Sequence, residues 1–530
     1  MKKHLLYASF VLTMACSATA QNKDAVKFSK TISKDNAYKH LSVLASDAYE
    51  GRETGTKGGW MAADYIKNFF KNLGLKAPVN GDYFQPIDMV NISLSQILTV
   101  NGQPAEALKD FYIVPQIVSG AGFGFNTPTV LFAGYGLTKE GYNDFEGADA
   151  AGKVVMIFKS GEPNGTAGSA NSRSVLTAKV KYLTEKNAAA VLVIDPTVEV
   201  MPENLKSYLT APRMVMKTKE EIEKLNAPQE TPVIYIGSGV ANQILAAAKT
   251  NITDLKKKIA DSGKPATQEI NVSISASAKR VETKVRAENV LGFLEGSDPK
   301  LKKEVLVVTG HYDHIGVTPE VKGDDKINNG ADDDGSGTTG VLMLAEAFAN
   351  AKKAGKGPKR SILFMTVTGE EKGLLGSEWY SEHPIFPLEN TITNLNIDMI
   401  GRGDKDHEKD NNFVYIIGSD MLSTELDQIG KKANKDYVNI QLDERYNNRT
   451  DPNRYYYRSD HYNFAKHGIP VIFYFNGVHE DYHQPGDEIS KIDFPMLAKR
   501  ARLVYFTAWE LANRANRPKV DKNEDGTRKN

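Results

Sequence analysis

The chain has 530 residues, 41% hydrophobic and 25% charged, and its 66 basic and 66 acidic side chains leave a formal net charge of zero. That length exceeds what one hydrophobic core usually fills, so two domains are expected. A balanced charge offers no basic field for nucleic acid, and no stretch beyond the first twenty residues is long and apolar enough to span a bilayer, so neither partner is expected.

Residues 1–20 read as an export signal, with Lys2 and Lys3, an apolar run over 5–15, and Ala18-Thr19-Ala20 before Gln21 as a cleavage pattern. The apolar run is too short to cross a membrane, and a periplasmic or extracellular protein beginning near Gln21 is expected. The single cysteine, Cys16, lies inside this signal, so the mature chain has no disulfide. Lipid anchoring through Cys16 is the weaker alternative, because Thr13 stands where such signals prefer an aliphatic residue.

In chain order, His40-Leu41, Val43-Leu44, Ala62-Ala63, Ile66, Phe69-Phe70 and Leu73 recur at helical spacing, predicting two helices around a turn-rich segment at 50–59. Gly74 is a helix stop. With no strand of their own, these helices are expected to pack on something later in the chain. From about 85 to 280, β-rich runs at 96–100, 129–132, 154–158, 190–194 and 233–236 are interspersed with helical stretches at 174–186 and 239–250, predicting a separate mixed α/β domain. From 289 onward, apolar runs at 305–309, 361–367, 394–397 and 469–475 alternate with helices at 336–354 and 494–513. Continuous apolar strands separated by helices predict a mostly parallel sheet covered on both faces. The expected plan is 21–105 and 281–513 for this α/β domain, an insertion at 106–280, and a polar, disordered tail at 514–530.

Ligands of open parallel sheets bind beyond the carboxyl ends of the strands. Gly310-His311-Tyr312-Asp313 follows the first of the four runs, Gly369-Glu370-Glu371 the second, Asp398 the third, and a loop with His479 and His483 the fourth. The loop 330–337, with Asp332, Asp333 and Asp334, leads into a helix. Singly, three aspartates before a helix can be a turn and cap, and two glutamates a solvated loop. Together they supply two imidazoles and several carboxylates, the ligand types suited to zinc, with a carboxylate left over to move a proton.

Gly310-His311-Tyr312-Asp313, Gly330-Ala331-Asp332-Asp333-Asp334-Gly335-Ser336-Gly337, Gly369-Glu370-Glu371-Lys372-Gly373-Leu374-Leu375-Gly376-Ser377, Asn396-Ile397-Asp398-Met399 and Tyr482-His483 resemble, in order and context, the bacterial leucine aminopeptidase and glutamate carboxypeptidase-like group of two-zinc exopeptidases. Ala45-Ser46-Asp47, Glu50-Gly51-Arg52 and Leu73-Gly74-Leu75 look like that family's amino-terminal helices. Phe132-Ala133-Gly134-Tyr135-Gly136 and Gly152-Lys153-Val154-Val155 resemble a protease-associated domain. The resemblance implies an α/β fold, a mostly parallel mixed sheet sandwiched by helices, with this β-rich domain inserted. It implies that Asp333 bridges two zinc ions, that His311 and Asp398 complete one site, and that Glu371 and His483 complete the other. Glu370 would then be the general base that takes a proton from water and passes it to the leaving amine. It further implies a cis peptide between Asp333 and Asp334.

Asp313, two residues beyond His311, shares its face if the strand continues, and is expected to orient the imidazole. Tyr482 either donates its hydroxyl to the tetrahedral oxyanion or simply packs in its loop. His314 is expected to face away from His311, and His461 and His479 to be supporting or surface residues. The implied function is a secreted, zinc-dependent exopeptidase acting on peptide substrates, with aminopeptidase action favoured by analogy. A metal-free, receptor-like binding protein of the same fold is the alternative, against which the complete ligand set argues. A carboxypeptidase, or another amide hydrolase or cyclase, is a further one. The loop 442–457, rich in Arg, Asn and Tyr, is expected near the substrate pocket.

Overall fold

The computed structural model describes residues 21–529 apart from 116, 117, 119, 164–172, 228, 229 and 319–322. The expected export signal at 1–20, with Cys16, lies outside the described residues. Two units are present, one formed by the chain up to Ile87 together with everything from Arg286, the other by Asp88–Val285. Among the described residues no helix is long and apolar enough to cross a membrane.

The first unit is built on an eight-stranded sheet. Its strands are β1 (Phe84–Pro86), β2 (Glu288–Leu294), β3 (Val305–His311), β4 (Ser361–Val367), β5 (Thr391–Ile397), β6 (Phe413–Ile417), β7 (Gln441–Asp443) and β8 (Val471–Phe475), in the spatial order β1-β2-β4-β3-β5-β8-β6-β7. The central strands β4, β3, β5 and β8 are mutually parallel, while β1, β2 and β6 pair antiparallel with their neighbours towards the centre. This is the mixed, mostly parallel sheet expected from the continuous apolar runs. All seven residues of β3 are buried, and their alternation divides them between two cores. Leu306 and Val308 join the helices Lys34–Leu44, Lys57–Leu73, Gly337–Lys353 and Phe494–Asn513 on one face. Val305 and Val307 join Tyr380, Phe464 and Phe473 on the other. The opening helices therefore do cover a sheet supplied later in the chain, through Leu41, Ala62, Ile66 and Phe70.

Local signals set the helix ends. Lys57–Leu73 stops at Gly74, which adopts the left-handed conformation that a side chain would disfavour. Phe494–Asn513 begins after Asp493, whose carboxylate accepts the Met496 N–H at 3.0 Å. The tail departs from expectation. Arg517 pairs with Glu304 at 3.0 Å, the Ser423 hydroxyl donates to Lys519 O at 2.7 Å, and Thr424 N–H donates to Asp521 at 2.8 Å. Residues expected to be disordered because they are polar are docked, because each finds a polar partner on the sheet domain.

Two buried histidines give this unit a pH limit. His40, with Nδ1 2.8 Å from the Tyr65 hydroxyl, is lowered to about 4 by burial and then by Lys39. His461, stacked on Phe473 at 4.6 Å, is lowered to about 3 by burial. Both are neutral in the folded chain and take a proton near pH 6.5 when unfolded. The stability they contribute is present above pH 6.5 and is lost as pH falls towards those lowered values, by up to about 1.4 kcal/mol per pH unit for each. Denaturant unfolding at pH 7, 5.5 and 4.5 is expected to show this decline, with His40→Gln reducing the slope by about one proton.

The second unit holds a sheet ordered Arg213–Met216, Met89–Val100, Gln268–Val285, Gly122–Phe132, Val154–Phe158, Ala190–Ile194, Val233–Ile236 and Phe111–Tyr112. It is wider than the expected insertion at 106–280. Met89–Val100 and Gln268–Val285 pair antiparallel along their length, from Met89 opposite Val285 to Val100 opposite Ile274, so both ends of the insertion leave the first unit together. The Phe132–Gly136 turn closes around buried Asp144, whose carboxylate accepts the N–H groups of Tyr135 at 3.1 Å and Leu137 at 3.0 Å and the Tyr142 hydroxyl at 2.8 Å.

Candidate metal centre

Because β3, β4, β5 and β8 run parallel, the residues following them meet at one edge of the sheet. His311 ends β3, Glu370 and Glu371 follow β4, Asp398 follows β5, and the loop after β8 returns His483 to the same place. Asp333 stands before the helix Gly337–Lys353, and its peptide bond to Asp334 is cis. Its two carboxylate oxygens face different imidazoles. Oδ1 lies 3.4 Å from His311 Nε2, and Oδ2 lies 3.1 Å from His483 Nε2. His311 Nε2 is also 3.7 Å from Asp398 and 3.9 Å from Glu370, while His483 Nε2 is 3.1 Å from Glu371.

The charge balance shows what such a cluster needs. Burial works to lower the His311 imidazole, but Glu370 and Asp398 prevail and hold it well above its ordinary value. Burial likewise opposes protonation of His483, yet Asp333 and Glu371 raise it to about 10. Asp333 is held well below the usual carboxylate range because the two imidazoles outweigh its burial. Burial pushes Glu370 well above that range, and Glu371 and Asp398 add to it. Positive charge among these buried carboxylates is thus carried as protons on two imidazoles, and a divalent cation can take their place.

Two compact triads are possible, His311 with Asp334 and Asp398, and His314 with Asp333 and Glu371. Asp334 is already committed to backbone donors. It accepts the N–H groups of His311 at 3.1 Å, Gly337 at 2.8 Å and Met399 at 3.1 Å. Asp333, with its oxygens turned to His311 and His483, is the freer donor.

The sequence reading of His314 needs correction. It does not face away from the cluster: it is fully buried, its Nδ1 lies 2.9 Å from Glu371 and 3.8 Å from Asp333, and its ring meets that of His483 edge-on at 5.6 Å. The alternation argument fails because β3 ends at His311, and the chain beyond it instead bridges to Glu53. Asp313 stands behind His311, whose Nδ1 is 3.1 Å from the Asp313 carbonyl and 3.7 Å from its carboxylate. The Thr54 hydroxyl donates to that carboxylate at 2.9 Å. Tyr482 stacks on the His483 ring at 3.9 Å, and its phenol is raised far above its ordinary value by burial, then by Asp333 and Glu371. His479 reaches Asp332 at 3.3 Å, and His461 stacks on Phe473 at 4.6 Å.

Several supporting residues had no signal in sequence spacing. The Ser459 hydroxyl donates to Asp398 at 2.7 Å. Asp487 accepts the backbone N–H groups of Asp332 at 3.1 Å and Asp333 at 3.0 Å, clamping the loop from outside. Buried Arg52 donates to the carbonyls of Tyr312, Leu44, Asn329 and Gly330 at 2.6–2.8 Å. Asp460 is fully buried beside this site, and burial raises it to about 7.

A carboxylate shared between two imidazoles, flanked by further carboxylates at parallel strand ends, is the donor set of a metal centre. Residues 289–508 match Peptidase family M28, in agreement with the resemblance read from the motifs. The chain is 29% identical over 313 residues to a "Probable zinc metalloprotease" of Pyrenophora teres f. teres, covering 52% of this chain and 62% of that protein. It is 28% identical over 243 residues to a "Probable leucine aminopeptidase" of Arthroderma otae, covering 45% and 61%. It thus spans about three fifths of the length of these curated relatives. Among solved structures, BSAP, a zinc aminopeptidase from Bacillus subtilis, superimposes with a TM-score of 0.47 at 20% identity, over 92% of this chain and 97% of that one.

Proposed function

We propose that the chain is an exported, zinc-dependent exopeptidase that removes residues from the amino end of peptides using two metal ions. The observation that carries this reading is Asp333, whose two oxygens face His311 and His483 separately. His311, Asp333 and Asp398 would hold one ion, and Asp333, Glu371 and His483 the other. The buried carboxylate surplus and the softness of imidazole donors fit zinc. Ions held by these residues would supply Lewis-acid polarisation of a carbonyl and a bound water acidic enough to be a nucleophile near neutral pH.

The chain's own groups do the rest. Glu370, whose carboxylate stands 3.9 Å from His311 Nε2, accepts the water's proton and delivers it to the leaving amine. Its raised affinity for a proton suits it to both halves of that transfer. Tyr482 stays protonated and can donate to the developing oxyanion. Asp313 and Ser459 fix the orientation of His311 and Asp398. His314 does the same for Glu371. The insertion, read as a protease-associated domain, either restricts or positions substrates or is a spacer that does not touch them.

The test is metal content together with a panel of aminoacyl and carboxy-terminal substrates. About two zinc ions per chain are expected. Hydrolysis of aminoacyl substrates should be abolished by a chelator and restored by added zinc. A chain that binds no zinc and cleaves neither set after zinc is supplied is not a peptidase.

A further inference from the structure

A small, open cleft with a cavity volume of about 30 Å³ lies at the candidate metal centre. Its lining combines His311, Asp333, Glu370 and Asp398 with an apolar wall of Met399, Phe473, Phe475 and Val478. Tyr455 continues the apolar wall, its ring 5.0 Å from Phe475. One cation stands in this wall. Arg458 lines the cleft, exposed to solvent, with its guanidinium 5.2 Å from the centre of the Tyr455 ring.

Two other arginines near this edge, Arg402 and Arg445, are neutralised, whereas Arg454, like Arg458, lies over a tyrosine ring. Arg402 pairs with Asp481 at 2.7 Å and Glu480 at 3.1 Å, and Arg445 pairs with Asp443 at 2.8 Å and also with Asp406. Arg458 forms no ion pair and no side-chain hydrogen bond among the described residues. Contact with a ring face draws on the charge of a guanidinium and leaves its five N–H donors for another partner. The fork of those donors matches a carboxylate, the anionic group that peptides carry. The cleft lining therefore combines acidic, candidate metal-binding groups, apolar side chains and one guanidinium without a carboxylate partner.

Resting on the exopeptidase reading above, we propose that Arg458 forms a subsite for a carboxylate of the substrate, so that the enzyme favours peptides presenting one close to the scissile bond. Two positions supply that chemistry, an acidic side chain on the terminal residue or the free carboxyl end of a dipeptide. The aromatic wall holds the carbon chain between the carboxylate and the reacting carbonyl.

The zinc-loaded full chain, as wild type, Arg458→Met and Arg458→Lys, would be assayed on two matched pairs: glutamyl against glutaminyl anilide, and a leucyl dipeptide against its carboxy-terminal amide. A hydrogen bond between charged groups corresponds to roughly tenfold or more in kcat/KM. The expected result is that Arg458→Met lowers the acid-to-amide ratio by about tenfold in at least one pair and that Arg458→Lys retains part of it. A fall in the first pair assigns the side-chain carboxylate, and a fall in the second assigns the chain end. Unchanged ratios in both pairs, with hydrolysis intact, overturn the subsite and leave the exopeptidase reading standing. No hydrolysis of any of the four substrates by the wild type overturns that reading and the subsite with it.

Discussion

Glu370→Gln is expected to lower hydrolysis by about 10²–10⁴-fold while leaving zinc content at the wild-type level, because the substitution keeps the side chain's shape and removes only its capacity to carry a proton. The carboxylate is well placed for this separation. It lies 3.9 Å from His311 Nε2, farther than Asp333 and Glu371 lie from His483 Nε2, each at 3.1 Å. Its backbone N–H points to Asp313 at 3.4 Å, so the turn after β4 is fixed from behind and does not depend on the glutamate side chain. Burial raises its proton affinity, and the neighbouring carboxylates of Glu371 and Asp398 add to the effect. A bound divalent cation would draw that affinity down towards the range in which a base serves at neutral pH. The measurement is kcat on an aminoacyl anilide beside metal analysis of the same sample. Activity within tenfold of the wild type would mean that another group moves the proton. Loss of zinc in parallel with loss of activity would instead make Glu370 a ligand.

The central sheet was legible because its strands are apolar on both faces. Val305, Val307, Leu306 and Val308 could be read as one buried run without knowing which core each enters. The centre was legible for a related reason: a parallel sheet gathers the carboxyl ends of its strands at one edge, and the residues just past those ends here are imidazoles and carboxylates. The features that escaped reading lie where regular geometry stops. Alternation along the strand puts His314 on the wrong side, because β3 ends at His311. The insertion was drawn too short because Met89–Val100 and Gln268–Val285 meet only through long-range pairing, which composition does not reveal. The tail was read as disordered from its polarity, although Lys519, Asp521 and Lys522 each have a partner in the segment 420–424. Asp487 and Arg52 were invisible as supports because they act on backbone groups, which look the same in every sequence.

Arg52→Met is expected to destabilise the chain by about 3–5 kcal/mol, the range for breaking a buried charged network, and to weaken zinc binding about 10–100-fold. Only 1% of Arg52 is exposed. Its guanidinium joins the end of the helix Lys34–Leu44, through Leu44 O at 2.7 Å, to the chain after β3, through Tyr312 O at 2.8 Å, and to the loop before Asp333, through Asn329 O at 2.6 Å and Gly330 O at 2.8 Å. Burial disfavours its charge, and Asp487, Asp334, Asp333 and Asp313 oppose that effect. Removing the guanidinium strands four carbonyls out of reach of water and takes away the cation that those carboxylates surround. Because Tyr312 follows His311, a proposed ligand, and Gly330 precedes Asp333 by three residues, a shift of either segment separates the two side chains that face each other at 3.4 Å. Lysine supplies the charge as a compact point and cannot span four carbonyls in one plane, so Arg52→Lys should recover part of the stability and less of the metal affinity. Urea unfolding of the metal-free chain measures the first effect, and zinc titration at a temperature where the variant is fully folded measures the second. Should Arg52→Met unfold within about 1 kcal/mol of the wild type and bind zinc equally well, the arginine is a passenger and the loop is held by Asp487 alone.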